Sequence, residues 1–236
     1  MRNYIILNGN ISSNIQGLLI QSLPPISKPK IRTQVEEIDG RDGDIVTKLG
    51  YSAYDKSISI GLYGNYDVDE VINYFDSEGI IVFSNEPDKY YKYQILEQID
   101  FERLIRFKTA TVTLHIQPFK YSLSDTKRTF NITNETSIQV RNNGNIYSKP
   151  VITLYGSGTI NLSLNNEQLF VIDLSNDSQI TLDIENMNAF NQTTGVLKNR
   201  LVTGNYDNFK LNVGNNTISW TGTITKIEIE NYTRFI

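Results

Sequence analysis

Ile38-Asp39-Gly40-Arg41-Asp42-Gly43-Asp44 sets two glycines and three aspartates around a single arginine, a composition that no core can use. Glycine enters positive φ without steric cost, and an aspartate side chain bonds back to its own turn. The stretch reads as a tight, exposed loop between strands. Upstream lies Pro24-Pro25-Ile26-Ser27-Lys28-Pro29-Lys30-Ile31-Arg32, whose three prolines exclude a central strand or a helix and predict an extended arm. Downstream, Ser57-Ile58-Ser59-Ile60-Gly61-Leu62 alternates with period two, as a half-buried strand does.

Working outward, the apolar pieces Tyr4–Leu7 and Leu18–Ile20 precede the arm. After the alternating strand, Asp67 with Glu70 three residues on forms a capping-box-like start. Val68, Val71, Ile72 and Phe75 then follow the i, i+3, i+4, i+7 stripe, and Gly79 supplies a stop, so one helix is expected over Asp67–Gly79. Ile80-Ile81-Val82-Phe83 and Tyr90-Tyr91-Lys92-Tyr93-Gln94-Ile95 read as short strands. Ala110–Gln117 alternates cleanly, with Val112, Leu114 and Ile116 in phase. The first part of the chain is thus β-rich, sandwich-like, with one α-helix and an extended arm.

Asparagine marks a change of character. Residues 1–121 hold seven and residues 122–236 hold nineteen, and the shift falls at the polar segment Ser122-Leu123-Ser124-Asp125-Thr126-Lys127. A polar connector at a compositional step predicts a boundary, giving domains 1–125 and 126–236. The second contains only strand patterns: Val151–Leu154, Ile160–Leu164 up to the turn dipeptide Asn165-Asn166, Phe170–Ile172, Ile180–Ile184, and Phe209–Val213. Ile218 and Trp220 resume beyond Gly214-Asn215-Asn216, and the phase slips between Ile224 and Ile227, a bulge or turn near Lys226. This predicts a β-sandwich.

Composition removes several classes of function. The 236 residues carry 22 bases against 26 acids, a net charge of −4, with no concentrated basic tract to neutralise nucleic-acid phosphates. Cysteine is absent, which excludes disulfides, thiolate nucleophiles and Cys-ligated zinc. The apolar run at Met1–Asn8 is too short for a signal peptide, and no stretch approaches the roughly 20 apolar residues of a membrane span. A soluble chain without membrane insertion or export signal is expected.

The chemistry-bearing residues form no site. His115 is the one histidine and lies on the polar phase of its strand, with no nucleophile elbow to serve. Asp39, Asp42 and Asp44 lack the spacing and the bidentate glutamate of a calcium loop. Glu36, Glu37, Asp183 and Glu185 are too common as residues to define a glycosidase pair. No catalytic, metal or cofactor residue is assigned, and no enzyme is expected. Trp220, the sole tryptophan, is either a core residue in phase with Ile218 or a sugar-stacking platform.

The order of motifs resembles that of siphophage distal tail proteins. The proline arm, Ile38–Gly43, the Ser57–Leu62 strand, the Asp67–Gly79 helix, Gly79–Ser84, Tyr90–Tyr93 and Gln117-Pro118-Phe119-Lys120-Tyr121 look like that family's N-terminal domain. Asn142–Ile152, Asn205–Phe209 and Gly214–Trp220 are similar to parts of its C-terminal domain. The resemblance implies a hexameric ring at the distal end of the tail of a phage of Gram-positive hosts. The ring joins the tail tube protein to the baseplate, including the tail-associated lysin and receptor-binding proteins, and takes part in host adsorption. It also implies an N-terminal domain that builds the ring and a channel passing DNA without specific binding. The C-terminal domain is implied to be a galectin-like or carbohydrate-module-like sandwich serving as attachment platform. The protein would reside in the virion and be made in the host cytoplasm. A ring needs a segment that crosses to the neighbouring copy, and Pro24, Pro25, Pro29, Arg32, Gly40, Arg41, Asp42 and Gly43 are the candidate contacts. The alternative is a carbohydrate-binding protein that recognises host glycans through its C-terminal sandwich and Trp220.

Overall fold

A computed structural model of the chain describes residues 2–75 and 78–236. It is mainly β and divides into two compact units, Met1–Lys120 with Ile236, and Tyr121–Phe235.

The first unit contains β1 (Ile5–Leu7), β2 (Asn10–Ile11), β3 (Leu18–Ser22), β4 (Ile31–Glu37), β5 (Asp44–Tyr51), β6 (Tyr54–Leu62), α1 (Val68–Tyr74), β7 (Glu78–Phe83), β8 (Lys89–Gln94), α2 (Phe101–Phe107) and β9 (Thr109–Ser122). Its main sheet runs β2-β1-β7-β8-β9-β6-β3. The expected alternation is met: Ile58 pairs with Val112 and Ile60 with Ala110, and all four side chains are buried on one face. Each of the isoleucine and valine side chains contributes about 1.5–3 kcal/mol through its burial.

The first helix begins as expected. Asp67 Oδ1 accepts from the backbone N–H groups of Asp69 (2.9 Å) and Glu70 (3.4 Å). Its buried side is narrower than the stripe suggested. Val71, Tyr74 and Phe75 enter the core, whereas Ile72 stays 39% exposed. Tyr74 fixes the seat, its hydroxyl donating to the carbonyls of Ile5 and Asn10. The stop differs from expectation, because Phe75 caps the helix and Gly79 lies in β7. Gly79 has another reason to be glycine. Its φ is +146°, and a Cβ there would stand 1.9 Å from Asn8 Oδ1, which accepts from Ile80 N–H. Residues 76 and 77 of the expected helix lie outside the described residues. A second helix, α2, was not foreseen. Asp100 caps it by accepting from Arg103 N–H; Leu104 is buried and Phe101 packs partly buried against the core, whereas Ile105, the next residue of the stripe, stays 41% exposed.

The second unit contains β10 (Arg128–Asn131), β11 (Ser137–Asn142), β12 (Val151–Leu164), β13 (Glu167–Leu174), β14 (Gln179–Asp183), β15 (Asn188–Phe190), β16 (Val202–Gly204), β17 (Gly214–Glu230) and β18 (Arg234–Phe235). β12 and β17 pair from Val151↔Glu230 to Leu164↔Ile218. Halfway along, both bend. On its other edge β12 pairs first with β14 and then with β13, while β17 pairs with β10 near one end and β11 near the other. Two long bent strands thus serve both halves of a curled sheet around one core that includes Leu154, Leu182, Ile160, Phe170 and Trp220.

The bend is written in glycine. A Cβ on Gly156 would meet the Thr223 carbonyl oxygen at 2.1 Å, and one on Gly222 the Thr159 carbonyl oxygen at 2.3 Å. The phase slip resolves as a bulge, since Tyr155 pairs with Lys226 and Gly156 with Ile224, leaving Thr225 as the extra residue. Asn165 and Asn166, both at positive φ, make the β12–β13 turn.

The asparagine excess has a structural use here. Asn142, almost fully buried, donates to the carbonyls of Ile146 and Leu211 and accepts from Gly144 N–H. Asn191 accepts from the N–H groups of Thr193 and Thr194, and Asn205 from those of Asp207 and Asn208. Asparagine amides supply to these loops the bonds that a ladder supplies to strands.

Candidate assembly interface

β4 and β5 stand apart from the main sheet of their unit as a sheet of two strands. Their register runs from Ile31↔Tyr51 to Glu37↔Asp44, with a bulge beside Arg32 and Thr33. Ile38–Gly43 is the loop that joins them, closed by Arg41 N–H donating to the Ile38 carbonyl at 3.1 Å. Gly40 and Gly43 sit at φ +79° and +77° with open space around them, so backbone conformation rather than crowding selects glycine.

The hairpin is exposed on both faces and apolar in places. Val35 and Val46, cross-strand partners, are 52% and 57% exposed, and Leu49 is 56% exposed. A lone two-stranded hairpin is marginal in water, and further strands or a packed surface are what normally stabilise one. The charge is polarised along it. Glu36, Glu37, Asp39, Asp42 and Asp44 crowd the tip around Arg41, while Lys28, Lys30, Arg32 and Lys48 lie toward the root.

The root is firmly held. Ser52 N–H donates to the Lys30 carbonyl at 2.8 Å, and Tyr51 packs edge-on against Phe119 with ring centroids 5.4 Å apart. Asn85 Nδ2 donates to the Pro24 carbonyl at 3.1 Å. Lys56 Nζ donates to the Pro25 carbonyl at 2.6 Å and reaches Ser27 Oγ at 3.3 Å.

The arm read from the prolines is therefore relocated. Pro24 and Pro29 are buried and Pro25 is exposed, so residues 24–30 are an anchored lead-in rather than a free arm. What projects is the hairpin, which carries Arg32, Gly40, Arg41, Asp42 and Gly43 together, all exposed. Sequence reasoning missed both of its strands, because neither has a buried face to impose alternation. Val35, Val46 and Leu49 were legible only as apolar residues without a phase.

The other candidates carry no site. His115 Nδ1 lies 2.8 Å from Asp55 Oδ1 across the β6–β9 pairing. No group of three or more potential metal ligands occurs among the described residues. Trp220 is 5% exposed within the core of the second unit, as its phase with Ile218 predicts for a core residue. No helix among the described residues is long and apolar enough to cross a membrane.

This is the fold of phage tail hub and baseplate proteins, as the sequence resemblance implied. The chain matches the Dit protein (gp 19.1) of phage SPP1, described as a paradigm of the hub adsorption apparatus in phages infecting Gram-positive hosts. That match covers 100% of both chains at a TM-score of 0.63 and 16% identity. It also matches a chain of the phage P2 baseplate in its activated conformation with Ca, over 98% of both chains, at a TM-score of 0.59 and 10% identity. No protein-family model and no curated protein matches the sequence.

Proposed function

We propose that this protein is a structural hub subunit of a phage or prophage tail. In this reading it forms a closed ring, hexameric in copy number, at the distal end of the tail tube. The ring connects the tube to the baseplate, including the tail-associated lysin and receptor-binding proteins. Its channel passes DNA without specific binding, and the subunit works in the virion after synthesis in the host cytoplasm. The observation that carries the reading is a full-length match to the SPP1 hub protein in a chain whose first unit presents an unpartnered apolar hairpin. A ring is built by a heterologous contact that closes by rotation, and a projecting element that docks on the next copy provides one. Ring contacts are proposed for the hairpin residues Arg32, Gly40, Arg41, Asp42 and Gly43, with Pro24, Pro25 and Pro29 setting its exit.

The test is the mass of the full chain by light scattering, with and without the hairpin. Lys30 and Ser52 are already hydrogen-bonded neighbours, so residues 31–51 can be replaced by Asn-Gly without opening the main sheet. The full chain is expected to form a closed ring, since one repeated heterologous contact can close by rotation, with the roughly six copies of the ring reading, and the shortened chain to be a folded monomer. A full chain that stays monomeric at high concentration would overturn the ring.

A further inference from the structure

Lys56 occupies a core position with a charged side chain. It lies in phase with Ile58 and Ile60 on β6 and is 4% exposed. Its ammonium stands near the rings of Tyr91 (5.5 Å), Tyr54 (5.6 Å) and Phe83 (6.0 Å). It makes no ion pair with a carboxylate among the described residues. The nearby Glu86 is engaged by Lys120 Nζ at 2.8 Å and by the Tyr91 hydroxyl. Two lysines and one glutamate therefore share this buried place. Burial, partly offset by Glu86, holds the Lys56 ammonium below the ordinary lysine range.

Such an arrangement is costly, and a leucine or methionine would fill the same space without a charge to desolvate. What an apolar residue cannot do is donate. The lead-in to the hairpin has prolines at 24, 25 and 29, which have no N–H, so beyond the packing of their rings only their carbonyls can hydrogen-bond to the unit. Lys56 supplies a donor to Pro25, as Asn85 does to Pro24, and the attraction of three aromatic faces for the cation steadies its head.

We infer that Lys56 is a positioning residue for assembly: it clasps the lead-in and thereby sets the direction in which the β4–β5 hairpin leaves the unit to meet a second copy. This rests on the ring reading. Its charge serves the geometry of association rather than the stability of the core that surrounds it.

The full chain with Lys56→Met tests this by three readouts: thermal unfolding, amide exchange across residues 26–52, and oligomer mass. Unfolding temperature is expected to hold or rise. Exchange in the hairpin and lead-in should accelerate by about tenfold, the scale of one lost hydrogen bond from a charged donor, and association should weaken in parallel. Asn85→Ala, at an exposed position where folding is not at stake, should act in the same direction. Wild-type exchange and mass in both variants would overturn the inference. So would unfolding of the first unit by Lys56→Met with Asn85→Ala indistinguishable from wild type, because Lys56 would then be a core residue only. If the unmodified chain is monomeric the ring reading fails, while the exchange comparison still decides whether the clasp exists.

Discussion

Val35 and Val46 face each other across the β4–β5 hairpin, and each leaves more than half of its surface in water. Burying such a side chain fully contributes about 1.5–3 kcal/mol, and 1.4 kcal/mol is tenfold in affinity. Val35→Ser with Val46→Ser should therefore weaken association by at least about tenfold. It should leave unfolding of the monomer within about 0.5 kcal/mol, as surface substitutions do. Sedimentation velocity beside urea unfolding separates the two effects. Parallel losses in both would mean that the valines support their own unit rather than a neighbour.

How much of this was readable depends on which surfaces are buried. β6 and β9 declare themselves because Ile58, Ile60, Val112 and Leu114 share one covered face, and covering a face imposes period two. The Thr225 bulge was visible as a phase slip for the same reason. β4 and β5 lie open on both faces, so nothing constrains their sequence to alternate, and the projecting element looked like a loop behind a proline arm. α2 is only two turns long, and its short stripe of Phe101, Leu104 and Ile105 is too brief to stand out from a loop. Gly79 carried a true signal with a wrong cause, since the close approach of Asn8 looks the same in sequence as a helix stop. Lys56 was hidden altogether, for a lysine in a strand reads as an outward residue until its neighbours are known.

Trp220 provides a second measurement. Packed into the core of the second unit and paired in register with Leu162, it should cost about 3–5 kcal/mol when replaced by alanine. Its fluorescence should be poorly quenched by acrylamide in the native protein and unaffected by cell-wall polysaccharide. Saturable quenching by the polysaccharide in a chain that stays folded would restore the glycan reading.

Asn216 makes a third. It is almost fully buried, accepting from Asn212 N–H at 2.8 Å while donating to the carbonyls of Asn212 and Gly214. Alanine would strand these backbone groups away from water, at about 1–3 kcal/mol for an unmet buried group. Urea unfolding of Asn216→Ala should show a loss of that size. An unchanged midpoint would mean that water satisfies the loop as well as the amide does.

Alkaline pH gives the last prediction, and its sign follows from the tyrosines. Burial pushes the phenols of Tyr74, Tyr91 and Tyr121 above the ordinary value of 10.0. Tyr91 is pushed further by donating to the Glu86 carboxylate, and Tyr121 by the charge of Glu185. Above pH 10 the unfolded chain loses these protons while the folded chain keeps them, so the folded state binds more protons and stability falls as pH rises. Below pH 10 their contribution is complete. Lys56 works the other way, because its folded value lies below the ordinary 10.5 and stability from that group rises with pH until 10.5 is passed. Unfolding should accordingly set in above pH 10, once the lysine contribution is exhausted and the phenols dominate. Absorbance at the phenolate band should show an early wave from exposed tyrosines, followed by a cooperative step that coincides with loss of the β-sheet signal. Tyr91→Phe should move that step to higher pH, since one fewer phenol then drives unfolding. A single non-cooperative wave centred near pH 10, with the sheet intact throughout, would show that water reaches these hydroxyls in the native state.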